Sequence, residues 1–311
     1  MKEFFILAVV TFFSLLTYWL VEPFAHGQMH AHVDSEGFAY ADLPALTKEG
    51  DATRGADTFM AGGCIGCHNV KALGMETGMS AKDAAAAYGV NPPDLSNAGA
   101  IYDAKFLADL IKNPAHATMV EHKFSDMRPH PMPAFYGAGG EDIDQEIADI
   151  VAYMQSIAVK AEEVTPEMAF ENACGRCHAV RYTKWTQLGE MPNFKYKKDE
   201  LRFQADVLDY QDAVKAYMGK LPPDLSMYIR SRNEHFLSTF IENPQSQLHG
   251  TAMPRTGVTA HAAEQVIEYM KIAGDPLAEE RNETGKNVMI FMIFFVLFAY
   301  LWKRQIWKDL H

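Results

Sequence analysis

The chain has 311 residues, which exceeds one ordinary core and suits two domains of about 100–150 residues each. Apolar residues at 48% and charged residues at 22% are values of a globular protein, not of a disordered one. The formal net charge of −12 argues against nucleic acid as a partner, because phosphate binding needs a basic surface, and it permits a basic protein partner.

The first predicted element is an uncharged run, Phe4 to Val21 (FFILAVVTFFSLLTYWLV). As a helix it is long enough to cross most of a bilayer core of ~30 Å. A cleaved signal peptide is the competing reading. The following EPFAHGQMH has no clear small-x-small cleavage site, which favours an anchor retained over residues 1–22. The segment 23–50 then serves as a linker. Its HGQMHAHV (His26 to Val33) has ligand types for a metal, against the simpler reading of a loop at the membrane surface.

All four cysteines fall in two copies of one pattern, CIGCH (Cys64, Cys67, His68) and CGRCH (Cys174, Cys177, His178). C-x-x-C-H is the attachment signature of c-type haem. Each thiol adds to one of two vinyl groups on a single edge of the ring, so the sulfurs must stand about one helical turn apart, and the adjacent imidazole turns onto the iron. A zinc site, a thioredoxin-like redox pair and ordinary disulfides are the alternatives. The His in both copies favours haem, and with it a compartment outside the cytoplasmic membrane.

A longer repeat surrounds the motifs. PPDLSNAGAIYDAKFLADLIKNP (Pro92 to Pro114) faces PPDLSMYIRSRNEHFLSTFIENP (Pro222 to Pro244) without a gap at a constant offset of 130 residues. Upstream, His68 to Pro92 is 24 residues and His178 to Pro222 is 44, which places an insertion of about 20 residues in Gln187 to Tyr210. Downstream, DIVAYMQSIA and EQVIEYMKIAG realign on a shared Tyr-Met pair. Each unit therefore reads as helix, haem motif, long loop, PPDLS turn, helix, loop and terminal helix, over residues 51–160 and 161–275. In this reading Pro-Pro ends the loop over the haem, and Asp or Ser caps the next helix.

A low-spin carrier needs a sixth ligand, and Met raises the potential relative to a second His. Met132 (PHPMPAF) and Met253 (GTAMPRTG) occupy the same interval of the repeat and are the candidates. Met119, Met127, His122, His130 and His249 lie in the same loops and compete with them. Packing in an ordinary loop is the bland alternative for each Met.

After a linker over 276–286, the second apolar run, Val288 to Trp302, marks an anchor over 287–303. Lys303 at the end of this anchor and Arg304 and Lys308 in the basic tail (304–311) crowd its far side, so the positive-inside rule puts both termini in the cytoplasm and the haem units outside.

By these residues each unit resembles a class I cytochrome c domain, and the whole chain resembles a diheme form of cytochrome c1, the haem subunit of bacterial quinol–cytochrome c oxidoreductase (bc1) complexes. CGRCHAVRY, LPPDLSMYIRSR, AMP and the basic-ended C-terminal run carry the second likeness. The resemblance implies an all-α fold: two tandem class I cytochrome c domains between an N-terminal and a C-terminal transmembrane helix. It implies two covalently attached haem c groups, with Cys64, Cys67, Cys174 and Cys177 holding the rings and His68, Met132, His178 and Met253 ligating the irons. Cytochrome b and a Rieske iron–sulfur protein become the expected partners in the lipid bilayer, with a downstream c-type cytochrome or oxidase as acceptor. The chain is then an electron carrier, not an enzyme by itself. The diheme subunit of a cbb3-type oxidase shares the tandem plan, but its anchor is N-terminal. A diheme peroxidase would need a haem that opens its sixth position.

Overall fold

The computed structural model describes residues 2–29, 40–125 and 127–308, excluding the side chains of 26–29. Of the candidate metal stretch His26–Val33, residues 30–33 and the side chains of 26–29 thus lie outside the described residues. The fold is helical, with one two-stranded ribbon among the described residues.

At the N-terminus α1 (Lys2–Leu16) runs through a π-helical turn (Thr17–Val21) into α2 (Glu22–Met29). The first unit contains α3 (Ala52–Ala61), α4 (Ala81–Tyr88), α5 (Ala98–Ile101), α6 (Ala104–Lys112), α7 (Pro114–Ala117) and α8 (Ile143–Ile157). The second contains α9 (Pro166–Ala173), the ribbon β1 (Trp185–Thr186) and β2 (Gly189–Glu190), α10 (Lys197–Met218), α11 (Tyr228–Ser231), α12 (Glu234–Glu242), α13 (Pro244–Gln247) and α14 (Ala260–Gly274). The chain ends in α15 (Ala278–Trp307).

Both units are built on one crossing, α3 against α8 and α9 against α14. The shared Tyr-Met pairs lie buried there, Tyr153 and Met154 in one, Tyr269 and Met270 in the other. Phe59 leans on Tyr153 at 5.3 Å between ring centroids, and Phe170 stacks on Tyr269 at 4.2 Å. These apolar helix faces continue into each other: residues of both units form one core rather than two. Backbone bonds stitch them, from Asp103 N to Gly257 O (2.8 Å) and from Thr259 N to Ile101 O (2.9 Å). The Tyr40 hydroxyl donates to Val258 O at 2.7 Å, and fully buried Arg255 donates to Ala117 O at 2.8 Å and to Asp42 at 2.7 Å.

The repeat is visible in the caps. Asp103 and Asn233, 130 residues apart, accept hydrogen bonds at the starts of α6 and α12. Asn113 and Asn243 do the same for α7 and α13, each with Pro in the first turn. Both α4 and α10 end on glycines with positive φ, Gly89 (85°) and Gly219 (86°).

Two expectations need correction. The insertion in Gln187 to Tyr210, expected within a long loop, builds the ribbon and lengthens one helix from the 8 residues of α4 to the 22 of α10. The stretch 276–286, expected as a linker, enters α15 at Ala278, so the helix runs without a break through the anchor to Trp307. The segments Lys2–Ala25 and Ala278–Trp307 are each long and apolar enough to cross a membrane, and neither is buried in the rest of the molecule. Phe4 and Tyr300 meet edge to face at 6.0 Å, which sets the start of the first beside the end of the second.

Asp149 fixes the α3–α8 crossing. Its carboxylate accepts from Arg54 Nε and Nη2 at 2.8 Å each, from Asp51 N at 2.7 Å and from Gln145 at 3.0 Å. Burial alone would raise its pKa, but these donors outweigh burial and hold it below the ordinary value. With the folded pKa depressed, the carboxylate stabilises the fold above its unfolded pKa of about 3.9 and loses that contribution as pH falls through the folded value. Asp149→Asn is expected to cost about 2 kcal/mol at pH 7. It should also flatten the decline of unfolding free energy between pH 5 and pH 2, measured by urea titration.

Candidate functional site

The two C-x-x-C-H segments adopt the same turn. The His68 amide donates to Cys64 O at 3.0 Å and the His178 amide to Cys174 O at 2.9 Å, with Cys67 N and Cys177 N donating to the same two carbonyls. One helical turn thus separates the sulfurs in each motif, the spacing that attachment to one ring edge requires. No disulfide joins any of the four cysteines. Among the described residues no three His, Cys, Asp or Glu side chains gather as a zinc site would need.

Each imidazole is aimed by a carbonyl. His68 Nδ1 lies 2.9 Å from Pro93 O, and His178 Nδ1 lies 2.8 Å from Pro223 O. A carbonyl only accepts, so Nδ1 carries the proton and Nε2 keeps its lone pair free for iron. Burial lowers the pKa of both rings, and at His68 the charge of Arg176 adds to that effect, so both stay neutral as a ligand must. The residues present therefore fit a haem with a histidine ligand in each unit.

The accepting carbonyls belong to the second proline of each PPDLS, and the rest of that motif also works backwards along the chain. Asp94 accepts from Ser96 N at 2.9 Å and from Lys71 N at 3.4 Å, and Ser96 Oγ accepts from Ala72 N at 3.0 Å. In the second copy Asp224 accepts from Ser226 N and Arg181 N, and Ser226 Oγ from Tyr182 N. Leu95 N and Leu225 N close the arrangement on Asn69 O and Ala179 O. Asp and Ser thus cap the short 3-10 turn after the haem motif, not the helix after PPDLS, whose starting residues Asn97 and Met227 have no side-chain cap bond.

Met132 and Met253 sit half-buried in loops tied to the fold by hydrogen bonds. Met132 packs against the shared core. Its loop is pinned by Phe135 N to Ile111 O (2.9 Å) and by Glu146, which accepts from Ala138 N and Gly140 N. The Met253 loop is held by Gln245 on Met253 O at 3.1 Å and by Arg255 N on Thr118 O at 3.0 Å. The other candidates are placed differently. Met127 is 96% exposed, and Met119 is exposed too. His130 turns Nδ1 onto the backbone of Met132 (3.0 Å to O) and Nε2 toward the Tyr217 hydroxyl. His122 and His249 are exposed on the rim of a shallow groove with Gln245.

Sequence reasoning missed three residues that position these motifs. Arg176, inside CGRCH, donates from Nη1 to Asn91 O at 2.9 Å, in the other unit. Tyr210 of α10 donates to Arg176 O (2.9 Å) and accepts from Asn91 N (3.1 Å). Arg255 follows Met253-Pro254 and is wholly buried. A charged residue where the first motif has Gly66 was the available signal for Arg176; nothing local marked Tyr210.

Residues 52–158, which hold the first motif and Met132, match the cytochrome c family. Residues 233–310, which hold Met253 and the C-terminal helix, match the cytochrome C1 family; this match begins downstream of Cys174–His178. The chain is 22% identical over 204 residues to cytochrome c1 of Allochromatium vinosum, covering 46% of this chain and 82% of that protein. A solved structure titled "Hyperthermophilic respiratory Complex III" is 23% identical, covers 47% of this chain and 75% of that one, and superposes with a TM-score of 0.38.

Proposed function

We propose that this chain, whose residues 52–158 match the cytochrome c family and residues 233–310 the cytochrome C1 family, is a membrane-anchored diheme subunit of a bacterial bc1-type complex. It carries electrons from the Rieske iron–sulfur protein to a downstream c-type cytochrome or oxidase. The observation that carries this reading is the duplicated site: two identical cysteine turns, each with its histidine aimed by the carbonyl of its own PPDLS, in one shared core. When bound, haem c supplies a one-electron ferric–ferrous couple, set higher by a Met than by a second His.

Cys64 and Cys67 would hold one ring and Cys174 and Cys177 the other by thioether bonds. His68 and His178 would supply nitrogen ligands to the irons, and Met132 and Met253 thioether sulfurs. The surrounding side chains bind, orient and exclude water, and none has bonds to make or break in a substrate. The basic end of α15 at Lys303 and Arg304, and the pairing of Phe4 with Tyr300, support two spans with both termini cytoplasmic and the haem units periplasmic.

The test is purification of the native complex through this subunit, with haem staining and identification of the bound chains. Cytochrome b and a Rieske protein are expected; a copper–haem oxidase core would replace this reading by the cbb3 one. Within the complex, the second unit leads directly into α15 and accepts from the Rieske protein, while the first delivers outward. Met132→Ala should then leave quinol-dependent reduction at the second unit intact and slow onward transfer. Loss of reduction in both units, with the complex still assembled, would refute this order.

A further inference from the structure

One positive charge stands between the two motifs with no counter-ion in hydrogen-bond contact among the described residues. Arg176 belongs to the second motif, between Cys174 and Cys177, yet its guanidinium reaches Asn91 O at 2.9 Å. Asn91 directly precedes Pro92-Pro93, whose second carbonyl holds His68. The Arg176 Nε is cut off from solvent and has no hydrogen-bond partner among the described residues. Tyr210 clamps the arrangement by bonding to both Arg176 O and Asn91 N.

The repeat offers no second copy of this device. Gly66 takes the place of Arg176 in the first motif, with open space where a side chain would stand, and exposed Leu221 takes the place of Asn91. The repeat thus carries one such charge, not two.

We propose that Arg176 is a shared positioning residue that sets the potential of both haems, its fixed charge favouring the reduced state at each. The proposal rests on the diheme reading above. Reduction adds one electron to an iron and, with the axial ligands fixed, no proton, so the charge at the site falls by one. A guanidinium does not deprotonate in proteins, and where water is excluded its field reaches further than a surface charge. Its reach to both motifs follows from its two anchorages, one through its own backbone and one through Asn91.

The experiment is an optical redox titration of the full-length protein in detergent, after haem content has been counted by pyridine haemochrome. Arg176→Gln keeps a hydrogen-bond donor and loses the charge; Arg176→Met keeps the stem alone; Arg176→Lys keeps the charge and loses the planar fork. Gln and Met are expected to lower both midpoints, each by about a tenfold change in the ferric–ferrous ratio, or 59 mV for a one-electron couple. Lys should stay within about threefold of the native protein, as should the exposed control Lys195→Gln. A shift confined to the Cys174/Cys177 haem, or no shift, overturns the proposal. So does a Lys variant that shifts as far as Gln, which would make Arg176 a tether. Failure of both Gln and Met variants to carry two haems would make it a folding residue and overturn the proposal equally. A native protein with fewer than two haems would instead overturn the diheme reading, and this proposal with it.

Discussion

Exchanging Cys174 and Cys177 together for alanine should leave no stably folded haem protein, whereas the same change at Cys64 and Cys67 should halve the haem content and leave the second unit folded. The asymmetry comes from what each turn supports. Cys174 is 6% exposed and belongs to the shared core, and His178 is 9% exposed. Three side chains brace that turn: Trp185 Nε1 on Gly175 O (3.1 Å), Gln187 on Cys177 O (3.3 Å) and Tyr210 on Arg176 O (2.9 Å). The first turn lies nearer the surface, with Cys67 exposed and within 3.7 Å of the Tyr88 hydroxyl. Removing a bound group removes its linkage free energy from whatever it holds together. At the second site that includes the junction between units. Haem content and thermal unfolding of the two double variants decide the matter, and equal losses in both would refute the asymmetry.

Gly257→Ala should cost about 3–4 kcal/mol, from left-handed backbone strain and overpacking together. Gly257 has φ +78°, and a Cβ there would strike the ring of Phe106. Its carbonyl accepts from Asp103 N, the cap of α6, so the position belongs to both units. In a Phe106→Leu background the same substitution should cost less, since part of the collision is gone and only the backbone term of about 1–2 kcal/mol remains in full. Denaturant unfolding of the four-protein cycle measures the coupling. A single variant within about 1 kcal/mol of the native protein would show that this junction yields easily.

The parts legible in the sequence are those in which chemistry or packing acts over a few residues. Two thiols and a His must be nearly adjacent to hold one haem, so Cys64–His68 and Cys174–His178 stand out at once. The Tyr-Met pairs and the Asn-Pro caps recur because each helix crossing needs the same buried positions. The contacts between units are another matter. Asn91 and Arg176 are far apart in the chain, and nothing near either one indicates the other. The insertion hid its helix because α10 is polar along most of its length. Only Tyr210, Val214 and Met218, at four-residue spacing, are buried, where they pack on Ala85 of α4. The same gap explains PPDLS: Asp and Ser cap whichever orphan amides come near, and that is settled by the fold of the preceding turn.

The contact of Tyr40 with Val258 spans 218 residues, and that of Asp42 with Arg255 spans 213. Loops of that length close late, because their entropy must be met before the contact repays it. In the closed form the Cys174 thiol is pushed up to about 12 by burial and is a poor nucleophile. Chemistry at the Cys174 thiol is therefore better suited to the chain before Tyr40 and Asp42 close on Val258 and Arg255 than after.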